Sequence, residues 1–183
     1  RLKLGAIETT EMIEVQLVDA QDQPTGTMEK IEAHRLGLLH RALSVIIVNS
    51  QKELLLQRRA NAKYHSPGLW TNTCCSHPYP AELPLAAANR RLKEEMGMDT
   101  DLEYLFKFLY KVDFENGLIE HELDHVFVGQ SDENPKLNPE EAMDFKWVSI
   151  TALEKNMNEN PEAYTFWFKL IIQSYGDSLK SYL

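Results

Sequence analysis

Cysteine is scarce in this chain: two in 183 residues, Cys74 and Cys75, and they are neighbours. Adjacent cysteines bridge only through a strained ring, so a disulfide framework is excluded and a reducing compartment, the cytoplasm, is expected. Long apolar runs are missing too. No stretch approaches the roughly 18 residues that crossing a bilayer requires. The opening RLKLGAIETTEMIEVQLVDA has neither the apolar segment nor the small-residue cleavage site of a secretory signal. Positive charge is in deficit, with 19 Lys and Arg against 28 Asp and Glu, a net −9. That balance argues against a general nucleic-acid binder. An acidic chain can still hold an anionic ligand where its few cations converge. There is no internal repeat, low-complexity tract or interdomain linker, so 1–183 reads as one domain with a proper core.

What is present alternates between strand and helix patterns. IEVQLV (13–18) reads as a strand and AQDQPTG after it as a turn. ALSVIIVNSQKELLLQRR (42–59) reads as two buried strands joined by NSQK into a hairpin. Residues 60–82, with three prolines, form a long irregular segment of the kind that more often carries function than not. LPLAAANRRLKEEMGM spaces Leu85, Ala88, Leu92 and Met96 as a helix that Gly97 stops. Strands are expected at 101–112, 117–129 and 144–150, and helices at 151–157 and 161–175, the latter with Trp167 near its start. The sum is a single α+β or mixed α/β domain.

Within the helix, Arg91 is spaced to pair with Glu94 and Glu95, as on any salt-bridged solvated face. Counted with Glu82, the segment also resembles the Nudix box, a loop–helix–loop that holds a divalent cation and a diphosphate. Glu82, Arg90, Leu92, Glu94, Glu95, Gly97 and Met98 fit its pattern. Ser76 stands at its opening glycine, and Arg91 replaces one of its glutamates. Losing that glutamate removes a metal ligand, and the arginine adds a cation for a phosphate, which suggests diphosphate binding without hydrolysis.

His34 and His40, six residues apart, fall on opposite sides of one helix, on one face of a single strand, or converge from a loop and a strand. Glu120 and Glu122 sit two apart in a strand-like run and so share a face. Side by side they repel unless a proton or cation lies between them. His121-Glu122-Leu123-Asp124-His125 is a literal HExxH, the signature of zinc proteases. That chemistry needs a helix, and the flanks GLI and VFVG read as strand, so the motif is set aside. In WTNTCCSHPYP (70–80) the thiols are open to reading as core filler, metal clip or acid–base group.

Taken in order, EKIEAH…LH, LLLQRRANAKYHSPGLWTNTCCSHP, RRLKEEMG and IEHELDHVF resemble the type I isopentenyl-diphosphate isomerases over about residues 30–170. The resemblance implies a Nudix-like mixed sheet flanked by helices. It also implies interconversion of isopentenyl and dimethylallyl diphosphates by protonation and deprotonation through a tertiary carbocation. It puts a divalent ion, Mn²⁺, Mg²⁺ or Zn²⁺, among His34, His40, His77, Glu120 and Glu122. A second Mg²⁺ rides on the substrate diphosphate at Glu95, within reach of the Cys75 backbone carbonyl. Lys30, Arg59, Lys63 and Arg91 match the diphosphate cations. Cys75 and Glu122 match the proton-transfer pair, Tyr110 assists, and the Trp167 ring faces the cation. Cys74 is expected to pack. Expected partners are the small-molecule substrate, with no nucleic acid and no membrane, in a monomer or weak dimer.

Overall fold

The computed structural model describes residues 12–183, so what was read from the first eleven residues lies outside the described residues. In chain order the strands are β1 Glu14–Val18, β2 Pro24–Glu29, β3 His40–Val48, β4 Glu53–Arg59, β5 Trp70–Thr71, β6 Cys74–Ser76, β7 Leu102–Asp113, β8 Ile119–Gln130 and β9 Ala142–Ser149. Helices α1 Lys30–Leu36, α2 Pro84–Met96, α3 Ile150–Glu159 and α4 Phe166–Lys180 complete the described elements. The architecture is a single mixed α/β domain around one nine-stranded sheet. No helix among the described residues is long and apolar enough to cross a membrane.

The run HRALSVIIV of β3 is buried along nearly its whole length, as a strand covered on both faces must be. One edge of β3 pairs in parallel with β8, from His40↔Glu122 to Val48↔Gln130. Its other edge is shared in succession by β1 at His40, β6 at Leu43–Val45 and β4 at Val48.

The expected hairpin over 42–59 therefore holds at one position only, Val48↔Leu54. Beyond it β4 leaves β3 and pairs with β9 along its length. Two apolar runs separated by a turn do not disclose that they diverge. The wedge between them is Thr73, whose hydroxyl accepts from Ile47 N (2.9 Å) and donates to Leu55 O (2.6 Å), replacing a ladder bond to each strand. Residues 60–82 are accordingly not wholly irregular, since they contribute β5 and β6.

Two other boundaries move. The turn after β1 is shorter than AQDQPTG, because the Asp19 carboxylate accepts from Gln21 N and Gln23 N and lets a strand resume at Pro24. The helix expected over 161–175 begins later. Pro161–Ala163 is a 3₁₀ turn, and Tyr164 then bridges Trp70 while Thr165 N donates to Trp70 O (3.0 Å). That extended stretch seats Trp167 in the first turn of α4.

Side chains alternate across the sheet and sort the core into two halves. Leu43, Val45, Ile47 and Phe127 pack with Leu92 and Met96 of α2. Ile46, Val48, Val126 and Val128 pack with Leu153 of α3 and Phe168 of α4. Each such fully buried side chain contributes about 1.5–3 kcal/mol. Helix α2 ends at Gly97 (φ +60°), where Lys136 N donates to Met96 O (2.8 Å) and Asn138 N to Glu95 O (2.9 Å). A Cβ at Gly97 would lie 2.8 Å from the Lys136 carbonyl oxygen. Gly97→Ala should therefore lower unfolding free energy by about 1–3 kcal/mol, read from the midpoint of a urea titration.

Candidate active site

The face that carries Ile46, Val48, Val126 and Val128 turns ionisable at its other end. Continuing the same alternation, β3 presents Ser44 and His40, and β8 presents Asp124, Glu122 and Glu120. Tyr110 stands opposite Glu122 on β7. Helix α1 overhangs this end. The Glu29 carboxylate caps it by accepting from Ile31 N and Glu32 N, and Lys30 and His34 fall on one face, four residues apart. His34 and His40 thus meet from a helix and a strand, with ring centroids 4.8 Å apart. His77, just past β6, closes the group at 5.4 Å from His34 and 5.1 Å from His40.

His34, His40, His77 and Glu122 offer one ligand atom each within 4.8 Å of one another. Their tautomers carry the test of fit. His34 Nδ1–H donates to Lys30 O (2.7 Å) and His40 Nδ1–H to Leu38 O (2.8 Å). Each ring therefore points a bare Nε2 lone pair inward, and both atoms are buried without a hydrogen-bond partner. They face Glu122 Oε1 at 3.7 and 3.3 Å, lone pairs against a carboxylate oxygen. Such an arrangement is repulsive unless a proton or a cation lies between, and against burial Glu122 raises the His34 pKa; backbone-fixed histidine is also how proteins present nitrogen to a metal. Burial pushes His77 down to about 3, keeping its ring neutral. Against the cost of its own burial, His77, whose Nε2 lies 2.8 Å from Glu122 Oε1, holds Glu122 well below the usual carboxylate range. This donor set fits a divalent ion.

Glu120 is turned differently. It takes a hydrogen bond from Tyr110, and His65 Nε2 lies 2.8 Å from its other oxygen. Tyr110 also reaches Glu122 Oε2 at 2.8 Å. One hydroxyl proton thus faces two carboxylates, and the site needs further positive charge to balance them.

Cys74 and Cys75 pair with Val45 and Ser44 of β3 and so point to opposite faces. Cys74 is fully buried under α2. Cys75 opens into the cleft, where Arg59 Nη1 lies 3.6 Å from its sulfur. Burial pushes the Cys75 thiol up to about 12 in spite of Arg59. Trp167 is buried, its indole donating to Asn72 Oδ1 (3.1 Å) with the Arg59 guanidinium 5.3 Å from its ring.

At the mouth of the cleft Lys63 pairs with Glu141 (2.6 Å), and Arg91 with both Glu141 (3.1 Å) and Glu95 (2.7 Å). Lys30 sits over the Tyr64 ring at 4.8 Å, and burial followed by repulsion from Lys63 lowers its pKa. Lys30, Arg59, Lys63 and Arg91, with Arg90, therefore line one cleft of an acidic chain. Of the box carboxylates only Glu95 turns inward, accepting from Gln57 Nε2 (3.0 Å). Glu82 is locked by Arg90 (2.8 and 2.9 Å), and Glu94 stays on the solvent side with Arg90 and Arg91.

Among the histidines and carboxylates of the cleft, three carry no role in the sequence analysis: His65, Asp124 and Glu141. Asp124 continues the alternation of Glu120 and Glu122, a signal that was available. It accepts from Ser44 Oγ (2.7 Å), its Oδ1 is buried without a partner, and burial raises its pKa well above the usual carboxylate range. His121 and His125 lie on the far face of β8, bonded to Gly37 O and Asp22, so HExxH gathers no metal.

A NUDIX domain model matches residues 38–168. The chain is 51% identical over 173 residues to the isopentenyl-diphosphate Delta-isomerase of Pectobacterium atrosepticum, covering 93% of this chain and 97% of the relative. It is 53% identical over 154 residues to isopentenyl-diphosphate Delta-isomerase 2 of Aromatoleum aromaticum, covering 84% and 82%. Among solved structures it is similar to DR0079 of Deinococcus radiodurans, with TM-score 0.74 at 20% identity over 88% of this chain and 98% of that one. A MutT protein from Methanosarcina mazei Go1 gives TM-score 0.64 at 20% identity over 78% and 96%. These last two speak for the fold alone.

The pleat makes a prediction about the thiols. Iodoacetamide should label Cys75 and leave Cys74 unmodified in the folded protein, as read by peptide mass spectrometry. Because only the thiolate reacts, the Cys75 rate should climb about tenfold per pH unit from 7 to 9 without levelling at an ordinary thiol pKa.

Proposed function

The chain belongs to the isopentenyl-diphosphate Delta-isomerase family of the NUDIX-domain proteins, and on that premise we propose how its cleft interconverts isopentenyl and dimethylallyl diphosphates. The observation that carries the reading is one cleft holding three imidazoles, Glu122 and the Cys75 thiol, with Lys30, Lys63 and Arg91 at its mouth and Arg59 beside the thiol.

The reaction moves a double bond. A proton adds to the terminal alkene carbon, leaving a tertiary cation on its neighbour. The C–H bond on the other side then breaks, and its electron pair forms the new alkene. An unactivated alkene is a very weak base, so the proton must be delivered at close range and the cation kept from water. Cys75 and Glu122 are the two groups that carry protons. The thiol is held protonated by burial, and Glu122 is tied to Tyr110. The Trp167 ring, buried beside them, offers its π face to the developing cation.

Lys30, Arg59, Lys63 and Arg91 take the diphosphate. Glu141 pairs with Lys63 and Arg91 in the free protein, which keeps both cations ordered before the anion arrives. His34, His40, His77 and Glu122, with Glu120 beside them, would hold a divalent ion, Mn²⁺, Mg²⁺ or Zn²⁺. Glu95 and the Cys75 carbonyl would meet a Mg²⁺ brought by the diphosphate. Bound there, the ions supply fixed positive charge that tunes Glu122 and neutralises the head group. The working protein is a cytoplasmic monomer or weak dimer with a small-molecule substrate and no nucleic-acid partner.

Cys75→Ala and Glu122→Gln should each lower turnover by several orders of magnitude without unfolding the protein. A variant keeping more than about a tenth of the parent rate, a barrier change under about 1.4 kcal/mol, would remove that residue from the proton pathway. Turnover in D₂O should place solvent deuterium in the dimethylallyl product. Release of inorganic phosphate or diphosphate without isomer would point instead to hydrolysis. Prolonged chelation should abolish turnover, and added Mn²⁺ or Mg²⁺ should restore it.

A further inference from the structure

His65 is buried, and neither its position nor its spacing marked it for the site. Its Nε2 lies 2.8 Å from Glu120 Oε2, with both side chains 3% exposed. His34, His65 and Glu120 also form a second group of donors within metal-binding reach of one another. That group is not an independent metal site. His34 has spent Nδ1 on the Lys30 carbonyl, and its one remaining lone pair already points at Glu122.

The surroundings of His65 fix what its ring can do. Ser66 Oγ lies 3.2 Å from Nδ1, and a hydroxyl donating there leaves the proton on Nε2, facing Glu120. An Nε2–H donates and cannot ligate a metal. The ring stacks on Phe114 (centroids 4.7 Å, 11°) and meets Trp167 edge-on (5.7 Å, 87°). Its backbone carbonyl accepts from Arg59 Nη2 (3.0 Å), and the next carbonyl, of Ser66, accepts from Arg59 Nε (3.1 Å). Ser66 itself is held at φ +50°, a conformation that is strained for a non-glycine residue and persists only where neighbours enforce it.

We propose that His65 is a positioning residue of the metal centre, donating Nε2–H to Glu120 and so fixing the orientation that carboxylate presents to the ion, while its ring and carbonyl register Trp167 and Arg59 to the same point. This rests on the reading that Glu120 belongs to the metal centre. With Tyr110 on one Glu120 oxygen and His65 on the other, the carboxylate has no free rotation, and the second lone pair of each oxygen is what Glu120 would offer, as a fifth donor, to an ion beside Glu122.

The test separates the hydrogen bond from the packing. His65→Phe keeps a stacked ring and lacks the donor, whereas His65→Gln keeps an N–H donor. Mn²⁺ affinity of the metal-free protein, measured from the electron paramagnetic resonance signal of free Mn²⁺, should weaken about 10–100-fold in His65→Phe and stay within about threefold of the parent in His65→Gln. In the same pair kcat should fall more than KM rises for His65→Phe. Nitrogen-15 imidazole shifts of the parent protein loaded with Mg²⁺ should show His65 protonated on Nε2. Parent-like Mn²⁺ affinity in His65→Phe overturns the proposal, and so does a bare Nε2 in the Mg²⁺-loaded parent, which would make His65 a ligand. The nitrogen measurement needs no variant and decides the matter should His65→Phe fail to fold. Glu120→Gln separates the two levels. If it weakens Mn²⁺ and His65→Phe does not, only the role of His65 fails. If neither does, Glu120 is not part of the centre and both readings fall.

Discussion

The cleft depends on a gap. Strands β3 and β4 touch at Val48↔Leu54 and then part, and their facing backbone groups would be left unsatisfied in the core without a substitute partner. Thr73 is that substitute, taking a hydrogen bond from one strand and giving one to the other. An unmet buried polar group costs about 1–3 kcal/mol, so the segment 71–74 is pinned by the same bonds that keep the sheet open. Asn72 adds to the pin, holding the Cys74 carbonyl (2.7 Å) and receiving the Trp167 indole. Everything downstream of the wedge, Cys75 and His77 included, inherits its position.

From that pin the site assembles by pleat rather than by loop design. One face of β3 and β8 runs from Ile46 and Val126 through Ser44 and Asp124 to His40 and Glu122. Apolar packing at one end gives way to ionisable groups at the other within the same ladder. The apolar half is packed under α3 and α4, and the same strands carry the carboxylates. The energetic cost of burying those charges falls on the folded protein. The histidine lone pairs and the paired glutamates are the visible form of that cost, which a divalent ion held there would offset.

Much of this was legible in the sequence, for physical reasons that differ by element. Helix α2 and strand β8 each carry a strong period, so the helical box, the shared face of Glu120 and Glu122 and the strand nature of HExxH followed from counting. His34 and His40 could not be placed by spacing, because the chain changes from helix to strand between them at Gly37. The hairpin over 42–59 closes at its turn and goes no further, since a parallel partner 80 residues away, as in Ser44 and Asp124, leaves no local mark. His65 and Glu141 reach the cleft from loops joined only by tertiary contacts, and nothing periodic announces them. Arg91 was legible as a substitution in the box, and its contacts with Glu95 and Glu141 are what that exchange introduces.

The alternation of Cys74 and Cys75 across the pleat makes the segment after Thr73 a ruler. Exchanging Cys74 for another small apolar residue changes what fills a core, a tolerable event. Adding or removing a single residue between Thr73 and His77 is different in kind. It would turn His77 away from His34 and His40 and present the wrong thiol to the cleft, with every residue type still in place. Variation in this stretch is therefore free in identity at one position and closed in length at all of them, so its insertions and deletions, more than its substitutions, mark where the chemistry is lost.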